Sequence, residues 1–171
     1  MTQRSGCPIN LATEAIGDRW SMILLRDIMF GDHRSYRDLL NNSLEGIATN
    51  ILGNRLRTLV AEGFLTAAPD PDHKQRTVYS LTEKSIALLP ALIALGAWGR
   101  QFYAADPAFA VRNQLLEEGG RELQDAFMDE LRERHLELPN AWVGERVSEQ
   151  LQAAFEARMA ERIGADTERS T

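Results

Sequence analysis

Ala48-Thr49-Asn50-Ile51-Leu52-Gly53-Asn54-Arg55-Leu56-Arg57-Thr58-Leu59-Val60-Ala61-Glu62 runs directly into Gly63-Phe64-Leu65 and then to Pro69-Asp70-Pro71-Asp72-His73-Lys74-Gln75-Arg76. In the first stretch Ile51, Leu52, Leu56, Leu59 and Val60 recur at three- and four-residue spacing, so one side faces a core. The other side carries Thr49, Asn50, Asn54, Arg57 and Thr58, and Glu62 in the last turn is its only acid. In a chain of formal net charge −6, an outward helix face so short of carboxylates is unusual. It suits a surface of phosphates. The segments that follow, Leu65 to Ala68 and Thr77 to Leu81, read as two strands joined by a polar tip, a wing after a helix.

Upstream, Pro8 to Ile16 forms a short helix ended by Gly17, and Trp20 to Phe30 a second, stopped by Gly31-Asp32. Ser35 caps a third helix through Leu40, and Asn41 to Gly46 is a turn. A short helix, a turn and the longer helix above give the helix-turn-helix order. After the hairpin, Thr82 with Ser85 opens an apolar helix through Ile86, Leu89, Leu92, Ile93, Leu95, Trp98, Phe102 and Tyr103, with a bend or joint near Leu88 or Leu89 imposed by Pro90. Asp106-Pro107 closes it. Two more helices are expected beyond Gly119-Gly120, Arg121 to His135 and Ala141 to Ile163. The fold class is therefore mainly α with a small β-hairpin wing, a winged helix-turn-helix domain over residues 1–105 and an acidic helical extension over 106–171.

Charge is distributed to match. Through Ala105 there are 11 Lys+Arg against 10 Asp+Glu, and from Asp106 onward 8 against 15. Screening confines a charged patch to about 10 Å, so an acidic extension does not forbid a nucleic-acid contact by the first part. No run of about eighteen apolar residues and no secretory pattern is present, so a cytoplasmic location without a membrane partner is expected. One cysteine, Cys7, excludes an internal disulfide, and His33, His73 and His135 lack a second ligand at helical spacing, so neither metal nor cofactor is expected. No nucleophile-base arrangement or phosphate-cradling glycine loop points to an enzyme.

The order Cys7-Pro8, Gly17-Asp18-Arg19-Trp20, Leu24-Leu25-Arg26-Asp27-Ile28, Gly31, Arg34-Ser35-Tyr36-Arg37-Asp38-Leu39, Gly46-Ile47, Leu52, Arg55-Leu56, Leu59, Glu62-Gly63-Phe64-Leu65, Val78-Tyr79-Ser80-Leu81-Thr82, Leu89-Pro90 and Trp98 resembles the HxlR-type winged-helix transcriptional regulators of bacteria. The resemblance spans residues 7 to about 100. It departs at Ala48, where the family often has Ser, and at Ser85, where Gly is usual; the first removes a hydroxyl and the second should only stiffen a helix start. The resemblance implies a homodimer and sequence-specific binding to double-stranded DNA.

Asn and Arg are the side chains that make bidentate contacts to adenine and guanine edges. The expected DNA-binding residues are Thr49, Asn50, Asn54, Arg55, Arg57 and Thr58 on the long helix, Lys74 and Arg76 on the wing, and Arg34 and Arg37 at the third helix, although a solvated helix face and hairpin tip would also be polar. Leu89, Leu92, Ile93, Trp98 and Phe102 form a stripe that is either intrachain core or a dimer seam, and the resemblance favours the seam. Cys7 at a helix start either packs as an inert small hydrophobe or serves as a redox sensor. Phe127, Trp142 and Phe155 are candidates for an effector pocket, against plain packing of the extension. The functional expectation is a homodimeric regulator, a repressor, on a pseudo-palindromic operator, released by a small-molecule or redox signal. The alternative is an effector- or protein-binding module that keeps the fold without specific DNA binding.

Overall fold

The computed structural model describes residues 5–140 and 142–169, with side chains described as far as residue 164. The chain groups into two compact units that divide between Ile86 and Ala87.

The first unit contains α1 (Pro8–Ile16), α2 (Arg19–Gly31), α3 (Tyr36–Asn41), α4 (Thr49–Ala61), β1 (Leu65–Pro69), β2 (Thr77–Leu81) and the single turn α5 (Glu83–Ile86). Local chemistry sets these boundaries. Asp18 accepts from the amides of Trp20 and Ser21 at 3.0 Å and starts α2. Ser35 accepts from the Asp38 amide and donates to its carboxylate at 2.6 Å, a reciprocal cap for α3. Gly63 lies at φ 72°, where a side chain would be strained, and lets the Phe64 amide turn back onto the Leu59 carbonyl at 2.8 Å. The antiparallel hairpin pairs Leu65 with Leu81 through Pro69 with Thr77, and Ser35 bridges to Val78 beside it. Leu25, Ile28, Leu39, Leu52, Leu56 and Leu81 are sealed in this unit's core.

Ser85 does more than stiffen a helix start. Buried completely, its hydroxyl accepts from the Thr82 amide at 3.0 Å and donates to the Thr82 carbonyl at 2.9 Å, closing the α5 turn.

The second unit contains α6 (Leu89–Phe102), α7 (Pro107–Glu118), α8 (Gly120–Leu136) and α9 (Val147–Arg169). The joint expected at Pro90 is present: the helix stops at Ile86 and resumes at Leu89, with Pro90 in the first turn of α6, where its missing N–H costs nothing. Glu83–Phe102 is the one stretch among the described residues that is long and apolar enough to cross a membrane by length and composition.

Two expectations for the extension need correction. Asp106-Pro107 does not only close a helix; Asp106 accepts from the Ala108 amide at 2.9 Å and Pro107 opens α7, which the sequence reading did not contain. Ala141, the expected start of the last helix, lies outside the described residues, and α9 begins only at Val147. Trp142 and Val143 therefore do not share a helical face with Val147 and Leu151, and Val143 is fully exposed. The reason is a cap supplied from a distance. Glu130 of α8, buried and 4.0 Å from the Arg146 guanidinium, accepts from the Val147 amide, and from the Ser148 amide at 3.0 Å, so the helix starts where that carboxylate sits.

Candidate nucleic-acid interface

The turn before α4 is held by a charged fork. Arg26, on α2, meets both oxygens of Glu45 at 2.7 and 3.0 Å and also Asp27 at 2.6 Å, while the Ser43 hydroxyl accepts from the Ile47 amide at 3.1 Å. Burial opposes the Arg26 charge, but Glu45 and Asp27 outweigh it and hold the guanidinium above its ordinary pKa. The hydrogen bond from Arg26 holds the Glu45 carboxyl below its ordinary value. Asp27 moves the other way, because its burial outweighs the same arginine. Tyr36 of α3 donates to the Thr49 carbonyl at 2.9 Å and lies alongside Gly53, so α3 and α4 pack closely at the entrance of α4.

This framework leaves one face of α4 open. Thr49, Asn50, Asn54, Arg57 and Thr58 are exposed. Arg57 is held by groups of its own helix, the Gly53 carbonyl at 3.2 Å and the Asn54 side-chain oxygen, and Thr58 donates to the Asn54 carbonyl at 3.1 Å. These partners are neutral, so the Arg57 charge is uncompensated there. The face is polar and cationic, and its Asn54, Arg57 and Thr58 side of the helix is tied by these bonds. Ala48 begins α4 with no side-chain cap.

The other candidate cations divide into engaged and open ones. Arg55 turns to Asp18 at 3.1 Å, and its Nε is buried with no hydrogen-bond acceptor. Since the other Asp18 oxygen caps α2, one carboxylate ties the start of α2 to the middle of α4, a role that no local sequence signal marks. Arg34 donates to the Tyr79 carbonyl at 3.3 Å and to the Ser80 hydroxyl, fastening the entrance of α3 to β2. Arg76 lies 3.3 Å from both Asp38 and Asp70. Arg37 and Lys74 are exposed and have no protein partner among the described residues.

The remaining expected sites are dispersed. Within the apolar stripe, Leu89 and Ile93 are buried in the chain, Leu92 is half-buried, and Trp98 and Phe102 are 51% and 60% exposed. The last two form one aromatic cluster with exposed Tyr103, ring centroids 5.4 and 5.6 Å from Trp98, and Leu95 is open nearby on the same helix. Cys7 is exposed at the start of α1, where the amides of Asn10 and Ile9 hold its thiol below the ordinary pKa. Phe127 is sealed in the core, Trp142 is half-buried and donates to the Glu145 carbonyl at 3.1 Å, and Phe155 packs 6.2 Å from Phe109.

The model of the HxlR-like helix-turn-helix family matches residues 15–107. An uncharacterised HTH-type transcriptional regulator of Mycobacterium tuberculosis is 34% identical over 97 residues, 57% of this chain and 60% of its own length. Another, from Synechocystis, is 32% identical over 93 residues, 54% of this chain and 67% of its own. The chain thus spans about 60% of the length of the mycobacterial relatives it matches. Among solved structures, PA1607, described as a transcription factor candidate, is 35% identical with a TM-score of 0.54, covering 60% of this chain and 69% of that one. The redox regulator HypR in its oxidised form is 25% identical with a TM-score of 0.50, over 58% of this chain and all of HypR. The matched family and these relatives are transcription regulators rather than enzymes.

Proposed function

Because this chain belongs to the HxlR-like helix-turn-helix family, we propose that it is a cytoplasmic, homodimeric repressor that lays α4 in the major groove of a pseudo-palindromic operator. The observation that carries the reading is the outer face of α4: five exposed polar residues, no acid among them, and one arginine whose partners are all neutral. Asn50 and Asn54 are the base readers, and Thr49, Arg57 and Thr58 flank them. Arg37 and Lys74, free of acids, take phosphates on either side. Arg76 joins them from the wing only by exchanging Asp38 and Asp70 for phosphate. Arg55 and Arg34 hold the elements in place and reach DNA only if their present partners are given up.

The subunit contact is assigned to the exposed cluster Trp98, Phe102 and Tyr103 with Leu95, not to Leu89 and Ile93, which already have their neighbours. An apolar surface of that kind also accounts for the membrane-like composition of Glu83–Phe102 without a membrane. A dimer places two recognition helices about 34 to 36 Å apart, one turn of DNA. The DNA-binding and dimerising part is residues 1–105, and the acidic extension 106–171 serves as support or as a receptor for a small-molecule signal. A redox signal through Cys7 is supported by its exposure and its lowered thiol pKa. Selection of bound duplexes from random sequence tests the reading: two inverted half-sites about 10 base pairs apart support it, and recovery of no sequence preference favours a module that keeps the fold for another partner.

A further inference from the structure

Beyond the family-matched stretch, α7 and α9 build an aromatic and cationic face. The Phe109 and Phe155 rings lie 6.2 Å apart, tilted by 37°, and Phe109 is 44% exposed. The Arg112 guanidinium sits 4.2 Å over the Phe155 ring and that of Arg162 sits 5.5 Å over the Phe109 ring. Arg162 has a counter-ion in Asp106 at 3.0 Å. Arg112 forms no ion pair among the described residues: its Nη2 donates to the neutral Gln152 side-chain oxygen, and its Nε is buried with no acceptor. Glu156 reaches it only as a more distant charge, being hydrogen-bonded to Gln152 at 2.7 Å, and burial lowers the Arg112 pKa.

A half-buried guanidinium keeps a rigid fork of donors, and the acceptor that satisfies two of them at once is a carboxylate. The surrounding extension, with 8 Lys+Arg against 15 Asp+Glu from Asp106 onward, repels a polyanion such as nucleic acid. A single negative charge joined to an apolar ring is different: the charge meets Arg112 and the ring covers the exposed phenylalanine edge. We propose that Phe109, Arg112, Phe155 and Arg162 form a binding site for an aromatic carboxylate, with its carboxylate on Arg112 and its ring against the two phenylalanines. The site goes beyond the DNA-binding reading and holds or fails separately from it, because it is measured with no DNA present.

The test is a titration of the full chain with 2-naphthoate, followed by NMR. The site predicts saturable binding with the largest shifts on the Phe109 and Phe155 ring protons, roughly tenfold weaker binding of the uncharged 2-naphthamide, and a similar roughly tenfold loss for naphthoate with Arg112→Gln. Acetate should bind more weakly than naphthoate, since it lacks the ring. Absence of saturable naphthoate binding at millimolar concentration, shifts centred elsewhere, equal binding of the amide, or an undiminished affinity in a folded Arg112→Gln protein each overturns the site. Should circular dichroism show that Arg112→Gln does not fold, the wild-type shift map and the acid-to-amide ratio decide the question.

Discussion

Helices α4 and α6 each bury one face and leave the other open, but the open faces differ in kind. That of α4 is polar, free of acids along Thr49, Asn50, Asn54, Arg57 and Thr58, with the last three tied by bonds within their own helix. That of α6 ends in Trp98, Phe102 and Tyr103, with the last two rings tilted and edge-on against Trp98 and half or more of each side chain open. An ordinary solvated helix would carry charges of both signs on either face. The difference teaches that what an outer face lacks bears on the kind of partner it suits: a face without acids suits phosphate, and a face without charge suits another apolar surface.

The largest effect that would break this contrast is on α6. Trp98→Ala should cost on the order of 2 to 4 kcal/mol of subunit association while leaving the monomer's helical content intact, because half of the Trp98 surface is open and its ring partners, Phe102 and Tyr103, are exposed too. Sedimentation that finds the mutant as tight a dimer as the wild type would remove α6 from the interface. Next is a control in the extension, where no partner is assigned to the altered group. Glu130→Ala leaves the Val147 and Ser148 amides uncapped and should lower stability by about 1 to 3 kcal/mol, read by urea unfolding, with affinity of the folded protein for DNA unchanged.

A smaller effect sharpens the α4 side. Glu45→Gln should lose about 1 kcal/mol at neutral pH, since the Arg26 pair is only partly shielded from solvent. Because the Glu45 pKa is depressed in the folded state, this contribution is present above the ordinary carboxylate value and disappears as the pH falls through the folded one. Wild type and mutant should therefore converge in acid, and a gap that persists at low pH would mean that shape rather than charge holds the turn. Asp27, raised by burial and, to a smaller degree, by the Glu45 charge, contributes with the opposite sign, and that contribution is smaller in the mutant, which lacks the Glu45 charge. The smallest expected effect is that of Cys7→Ser, which should bind the operator as the wild type does and differ only after treatment with diamide, measured by fluorescence anisotropy.

The sequence made α1 to α4 and the hairpin legible because periodicity and punctuating residues agreed: Pro8 could open α1, Gly17 and Gly31-Asp32 could stop helices, Ser35 could cap α3, and Pro90 could only break or begin a helix. It hid α7, whose apolar residues Phe109, Val111, Leu115 and Leu116 spread around the helix instead of forming a stripe. The late start of α9 was equally hidden, because its cap is Glu130, a residue seventeen positions earlier on another helix. At the candidate DNA face, the exposed residues of α4 followed from helical spacing. The pairings that divide the arginines did not, since Asp18 with Arg55 and Asp38 with Arg76 meet only after the chain has folded.

The central claim, that the open face of α4 lies on DNA, is tested most directly by measuring operator affinity across a salt series for wild type, Asn50→Ala and Arg57→Ala. The account predicts that Arg57→Ala weakens binding to all sequences alike and lowers the salt slope by about one unit. For Asn50→Ala it predicts an unchanged slope and a relaxed preference at one base position, at about 1 to 3 kcal/mol. If both variants match the wild type in slope and in sequence preference, α4 is not the reading helix.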